Sequence, residues 1–490
     1  MPTPTFIARE RELALLHKEW ETQNACLLIL YGRRRVGKTR LLTHWIEKTG
    51  HRALYWVAAP TSTKNQLRSF SQALFNFEGS GVAADNFSYQ NWEQAFEQAA
   101  RMAESERLVL VLDEFTYLLP HEPGIAGILQ NAWDHRLKNT NIFVIVTGSH
   151  IGMMERDVLA PRAPLYGRAT SLLHLQPLPF ANTRSFFPKY RPDERVAVYS
   201  MLGGVPAYWE RFNPKLSLDR NIKDQFLGGA NLIMNEPSLL LHDYVSDIHN
   251  YAAILQAIAH GNRTPATIGS AAGLNSKHIP QYLRNLIRSG FVERRIPVTK
   301  SAASRSGHHH ITDPFLRFYY RFLSSRQSQL AAGVQDQTLA QIKKHLVDFI
   351  GTYTWEELCR EWLLRATGQK VLPFLPDHVG SAWTAKAQID VAGINRMEKT
   401  LILGECKWTR QASGRGVLAG LTEKTNAFVP AQGQWQVYFL GFAREGWTQA
   451  AQEFAASVSK DSVSGPNWQA QAMDIYDLAQ VDGDLESWTN

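Results

Sequence analysis

The chain has 490 residues, 44% of them hydrophobic and 20% charged, and a formal net charge of +7. That length exceeds one core and implies about three domains, while the composition excludes a disordered chain and no apolar run approaches the roughly 18 residues of a membrane helix. Cys26, Cys359 and Cys406 form no CxxC pair, so neither a structural zinc site nor a disulfide framework is expected, and the mild positive charge leans toward polyanionic partners.

The opening MPTPTFIARE has no basic start followed by an apolar segment, which fits a soluble cytoplasmic protein. FIARERELALLHKEW then places Leu13, Leu16 and Trp20 at helical spacing, with Arg9 and Glu12 able to approach a nucleotide base or a partner element. Next, CLLILY runs into YGRRRVGKTRLL, where Gly32, Gly37, Lys38 and Thr39 complete a GxxxxGKT pattern between an expected strand and an expected helix. Glycines let the backbone curl so that NH groups and a helix N-terminus converge on phosphates. Lys38 supplies a point charge for the outer phosphates, Thr39 a hydroxyl for magnesium, and Arg33, Arg34, Arg35, Val36 and Arg40 complete the loop. ATP and Mg2+ are the expected cofactors.

HRALYWVAA reads as a second buried strand, followed by a largely helical stretch, and RLVLVLDEF as a strand covered on both faces. At its end Asp113 would hold a magnesium-bound water and Glu114 would polarise the attacking water. TNIFVIVTGSH ends another buried strand in Thr147, Gly148 and Ser149, small polar groups able to bond a terminal phosphate or simply to make the turn. Arg168 in PLYGR could sense that phosphate, within the chain or across a subunit boundary, or sit on the surface. MLGGVPAYWERF places Gly203, Gly204 and Pro206 in a turn leading to an aromatic helix suited to a lid.

The set FIARERELALL, GRRRVGKT, LVLDEF, VTGSH, PLYGR and GGVPAYW resembles the archaeal-type ATPases of the STAND branch of AAA-like P-loop proteins. The family's first motif usually has glycine where this chain has Ala8. The resemblance implies a nucleotide-driven switch with slow hydrolysis and possible homo-oligomer assembly.

Beyond it, TPATIGSAAGLNSKHIPQYLRNLIRSGFVERRIPV has the layout of a winged helix-turn-helix, with a turn at Gly273, a second helix capped by Asn275 or Ser276, and a stop at Gly290. Ile279, Leu283 and Leu286 share one face of that helix, and Lys277, Gln281, Arg284 and Arg288 another that could contact DNA phosphates or merely be solvated. His308, His309 and His310 point to alternate sides of an extended segment and cannot all ligate one ion. HHITDPFLRFYYRFL resembles the segment that follows the winged helix in the same family, and SSRQSQLAAGVQDQTLAQIKKH reads as a partly helical linker.

In YTWEELCREWLLRA, Trp355, Leu358, Cys359 and Trp362 make an apolar helical stripe bordered by Glu356, which could face a site. AWTAKAQIDVAGIN and KTLILGECKW read as neighbouring strands that bring Asp390 beside Glu405 and Lys407. Two carboxylates and a lysine suit metal-dependent phosphodiester cleavage: Asp390 and Glu405 as magnesium ligands, Lys407 orienting water or stabilising charge on phosphorus. The arrangement resembles the PD-(D/E)xK restriction-endonuclease-like superfamily, specifically the domain of unknown function that often follows archaeal-type ATPases, although Gln388 stands where an acidic residue is common.

The expected architecture is α/β: a P-loop NTPase with a parallel sheet and helical lid over residues 1–240, a winged helix-turn-helix over 241–325, a linker over 326–345 and a nuclease-like α/β domain over 346–490. The expected function is an ATP-binding and ATP-hydrolysing switch controlling a magnesium-dependent nuclease-like domain, with nucleic acid as partner, DNA favoured over RNA, and no membrane. A STAND-type signalling or scaffold ATPase whose last domain binds without cleaving, and a DNA-binding transcription regulator, are the alternatives.

Overall fold

The computed structural model describes residues 6–79, 81–228, 232–242, 247–301, 303–458, 460 and 463–489; the first five residues of the N-terminal stretch considered above lie outside them. Two compact units form, Met1–Leu178 with Val205–Ala207, and Pro179–Gly204 with Tyr208–Asn490.

In the first unit, α1 (Glu10–Glu21) precedes β1 (Cys26–Tyr31), α2 (Lys38–Thr49), β2 (Ala53–Val57), α3 (Thr63–Phe77), α4 (Trp92–Met102), β3 (Leu108–Asp113), α5 (Ile125–His135), β4 (Ile142–Gly148) and β5 (Ser171–His174). The five strands lie in the order β2-β3-β4-β1-β5, all parallel. Alternation of side chains across the strands divides their apolar runs between two cores. Leu27, Ile29, Leu110, Leu112 and Val146 meet Phe70, Phe96 and Leu129 on one face. Leu28, Leu30, Val111 and Ile145 meet Leu41, Leu42 and Trp45 on the other. Each such fully buried aliphatic side chain contributes roughly 1.5–3 kcal/mol, so covering both faces is what holds the sheet. The order also sets β4 between β1 and β3, which brings the carboxyl ends of these three strands together.

The second unit begins earlier than the composition suggests. The described residues of the 179–240 stretch, grouped by sequence with the phosphate loop, pack here apart from Val205–Ala207 because their aromatics find partners here: Phe212 meets Phe226 at 5.9 Å and Phe226 meets Phe318 at 5.0 Å between ring centroids. Three helices, Ile248–Ala259, Pro265–Ala272 and Ile279–Arg288, lead into an antiparallel pair, β6 (Val292–Arg295) and β7 (His308–Ile311). Neither Asn275 nor Ser276 caps the third helix, which starts at Ile279 after His278; Asn275 instead accepts from the Lys277 NH at 3.0 Å, leaving Lys277 in the preceding turn.

The polar stretch read as a linker is packed helix, Gln327–Ala331 and Gln335–Phe349, with Ile342, Leu346 and Phe349 buried. After the helix Glu356–Gly368 comes a mixed sheet, ordered β12-β13-β11-β10-β9-β8, of β8 (His378–Trp383), β9 (Gln388–Asn395), β10 (Thr400–Lys407), β11 (Trp435–Ala443), β12 (Ser464–Gly465) and β13 (Trp468–Asp477). Its core gathers Ile389, Leu401, Leu403, Leu418, Val437 and Phe439.

Candidate functional site

Gly32 ends β1 where a Cβ would stand 2.4 Å from the Leu175 carbonyl oxygen, so no side chain fits. Gly37, at φ 104°, caps α2 in a left-handed conformation that glycine adopts without strain. Between them Val36 is fully buried in the core, so only its backbone belongs to the loop. Arg35, at φ 66°, takes the curled backbone without glycine's freedom. The ammonium of Lys38, itself 5% exposed, donates to the carbonyls of Gly32 (2.9 Å) and Arg33 (3.3 Å) and to Ser149 Oγ (2.7 Å). Burial lowers the Lys38 pKa, opposed by the nearby Glu114 and Asp113 carboxylates.

Asp113 is 1% exposed and accepts four hydrogen bonds, from Thr39 Oγ1 (2.9 Å), Tyr55 OH (2.7 Å), the Glu114 NH (3.0 Å) and Thr147 Oγ1. Thr39 at the start of α2 and Asp113 at the end of β3 are thus in direct contact. Glu114 sits at φ 54°, ψ 40°, uncommon for a non-glycine residue and a form of strain that concentrates at functional sites. Its carboxylate accepts from the Ser149 NH (3.2 Å) and Ser149 Oγ (2.5 Å). Lys38, Ser149 and Glu114 therefore make one continuous chain of hydrogen bonds across the loop.

Two of the expected nucleotide contacts, Thr147 and Arg168, have protein partners. Thr147 is fully buried; its hydroxyl donates to Asp113 and accepts from the Glu114 NH at 3.1 Å, so it orients Asp113. Arg168 precedes β5 and lies beside the start of β1, where the Thr170 NH donates to the Leu27 carbonyl. Five residue steps, roughly 17 Å of strand, separate Leu27 from Gly32. The Arg168 guanidinium is paired with Asp134 at 3.1 Å.

Sequence reasoning missed Tyr55, whose position in a buried strand carries no local mark, and left Arg9 between a nucleotide base and a partner element. Arg9, 8% exposed, donates to the carbonyls of Val36 (3.2 Å) and Gln176 (2.7 Å) and to Glu12 Oε1 (2.8 Å), bracing the phosphate loop from behind. Reaching that position requires positive φ at both Ala8 (65°) and Arg9 (80°). Alanine pays a steric cost there that glycine does not. Ala8→Gly is expected to stabilise the first unit by about 1 kcal/mol in chemical denaturation, and an unchanged or lowered midpoint would contradict this.

A second cluster lies in the second unit. Asp390 on β9, Glu405 and Lys407 on β10, and Glu356 at the head of its helix come together. Lys407 Nζ donates to Glu405 Oε1 at 2.7 Å, and Lys424, from the helix Arg415–Lys424, takes the other oxygen. Asp390 accepts from the Cys406 NH (3.0 Å) and from Gln388 Nε2 (3.1 Å). Arg360 links Glu356 Oε2 (3.3 Å) to the Asp390 carbonyl (2.9 Å). Burial and then Glu405 raise the Asp390 pKa; burial and then Asp390 push Glu356 up to about 8. Burial alone would lower Lys407, but Glu405 outweighs it and raises the ammonium. Lys424 and Arg360 were not foreseen, since helix–sheet packing alone brings Lys424 to a strand distant in sequence.

Among the described residues no group of three or more His, Cys, Asp or Glu is arranged to hold a metal ion by protein ligands alone. Lys277, Gln281, Arg284 and Arg288 are all exposed, with Arg284 donating to Gln281 at 2.6 Å. His309 and His310 are buried in β7 while His308 stacks on Trp383 at 4.5 Å, so the three histidines do not converge. No helix is long and apolar enough to cross a membrane among the described residues.

A family described as an ATPase domain predominantly from Archaea matches residues 6–212, and one described as archaeal and bacterial proteins of unknown function matches residues 319–417. An uncharacterized protein of Methanocaldococcus jannaschii is 31% identical over 407 residues, 82% of this chain and 87% of that protein. An uncharacterized ATP-binding protein of the same organism is 50% identical over 42 residues, 9% of this chain and 71% of that one. In fold, the Walker-type ATPase of Pyrococcus abyssi superposes with a TM-score of 0.52 at 19% identity, covering 64% of this chain and 96% of that one. With a parallel sheet that carries a phosphate loop and an acidic strand end, and with a relative matched over most of both chains, this protein belongs to the archaeal-type P-loop ATPases and is an ATP-binding ATPase.

Proposed function

We propose that this ATPase uses nucleotide state to control a second, magnesium-dependent site that cleaves phosphodiester bonds in nucleic acid, DNA in preference to RNA. In this reading residues 1–240 comprise the ATPase and its lid, 241–325 a winged helix, 326–345 the connection and 346–490 a restriction-endonuclease-like domain of the PD-(D/E)xK type. At the phosphate loop, Gly32 to Arg40 wrap the phosphates and Lys38 turns from the loop carbonyls to the outer phosphates. Thr39 and Asp113 offer a hydroxyl and a carboxylate in contact, an all-oxygen donor pair that suits magnesium, which takes its other ligands from water and phosphate. Glu114, held by Ser149, orients the attacking water. Arg168, 37% exposed, would contribute to the phosphate site of a neighbouring copy in an oligomer.

One observation carries the second half: Asp390, Glu405, Lys407 and Glu356 meet from three elements, and burial raises the Asp390 and Glu356 carboxyls. Asp390 and Glu405 would hold the magnesium, which when bound polarises the scissile phosphate. Lys407 orients water or stabilises charge on phosphorus, and Glu356, neutral below about pH 8, can donate a proton. Lys277, Gln281, Arg284 and Arg288 are the DNA anchor of this reading.

The test incubates the full chain with magnesium and labelled DNA, with ATP, ADP or no nucleotide. Cleavage is expected under one nucleotide condition and is expected to fall at least about 100-fold in Glu405→Ala and Lys407→Ala, the scale of losing one transition-state group. Absence of cleavage in every condition removes the nuclease half. The saturation of both Glu405 oxygens by lysines favours, as second reading, a domain that binds nucleic acid without cutting it.

A further inference from the structure

Beside the acidic cluster a cavity of about 510 Å³ opens, lined by Thr264, Arg305, His308, Trp383, Lys386 and Gln388 among others. Its lining includes two cations and no carboxylate. Arg305 and Lys386 are exposed, and neither has an ion-pair partner among the described residues. Trp383 presents an aromatic platform, stacked on His308 with planes 11° apart and fixed by its indole NH donating to the Ser306 carbonyl at 3.1 Å. Gln388 is both cavity wall and hydrogen-bond donor to Asp390, so the cavity and the acidic cluster share a side chain.

We infer that this cavity is the binding site for a single-stranded segment of nucleic acid, with a base on the Trp383–His308 stack and adjacent phosphates on Arg305 and Lys386, leading the strand past Gln388 to the acidic cluster. The inference rests on the proposed nuclease reading for the cavity's purpose, but not for its occupancy. Three properties select a single strand over a duplex. An aromatic platform needs an exposed base face, which a duplex covers with its neighbours. The volume suits a nucleotide or two, within the size of ordinary small-molecule pockets. A pair of cations without carboxylates follows a phosphate backbone without reading sequence.

The experiment measures fluorescence polarisation of a labelled oligothymidylate, and of a duplex of equal length, on the full chain in EDTA, where cleavage cannot interfere. The single strand is expected to bind more tightly. Trp383→Ala is expected to weaken it roughly tenfold, the scale of one stacked base. Because Trp383 also packs against His308, the exposed double variant Arg305→Ala/Lys386→Ala is the second probe: it should lower the slope of log affinity against log salt by about 1.4, two phosphate contacts on a single strand. Equal or tighter duplex binding, or unchanged affinity and slope in both variants, overturns the assignment. Cleavage is scored separately. Binding that depends on the cavity without any cleavage keeps this site and removes the nuclease; cleavage that ignores the cavity variants does the reverse.

Discussion

Lys38→Ala is expected to lower ATP turnover at least about 100-fold while the protein stays folded, the loss typical of removing a fixed positive group from developing phosphoryl charge. Lys38 has two tasks. In the described state it donates to the Gly32 and Arg33 carbonyls and to Ser149, holding the loop in its curled form. In the proposed reading its second task is to meet the outer phosphates, and burial, which lowers its pKa, makes its charge costly unless an anion is near. Lys38→Met keeps the apolar stem and removes the charge, separating loop support from catalysis. Steady-state ATP hydrolysis, magnesium–ATP calorimetry and a melting curve on each variant decide the matter. Turnover within a few fold of the parent protein would remove this loop from the reaction.

Glu357→Gln is expected to destabilise the second unit by about 3 kcal/mol, because it strands the buried Arg317 guanidinium, while Arg295 keeps Glu293. Arg317, 1% exposed, grips Glu357 through two bonds of 2.7 and 2.8 Å, and Arg295 from β6 adds a third at 2.8 Å. Burial by itself would raise this carboxyl; the Arg317 and Arg295 guanidiniums outweigh it and hold it well below the usual carboxylate range. The folded chain therefore refuses a proton that the unfolded chain accepts near pH 4.5. The stabilisation is complete above that pH and is lost progressively below it. In urea denaturation the gap between parent and variant should stay constant above about pH 4.5 and narrow in acid. A gap under about 1 kcal/mol, or one that does not narrow, would mean that the network contributes nothing beyond an ordinary surface pair.

Much of the first unit is legible in the residues themselves. CLLILY, RLVLVLDEF and TNIFVIVTGSH read as doubly covered strands because each is apolar on both faces, and GRRRVGKT between strand and helix dictates a phosphate loop. The glycine expectation at position 8 is met in backbone but not in side chain: Ala8 adopts the left-handed conformation anyway, since Arg9 must reach the loop. Asp390, Glu405 and Lys407 were foreseen from strand periodicity, yet Lys424 and Arg360 were not. At Thr147 and Arg168 a residue type able to bind phosphate says nothing of which protein groups its side chain meets in the fold.

What the sequence by itself determined is the chemistry available at each strand end, because a strand's alternation and a loop's glycines act over a few residues. Only the tertiary structure decided which of those groups meet. Placing β4 between β1 and β3 brings Lys38, Asp113, Glu114 and Ser149 to one edge, and the helix carrying Lys424 must pack on β10 before Glu405 gains its second cation. These encounters depend on packing between segments far apart in the chain, and no local pattern encodes that.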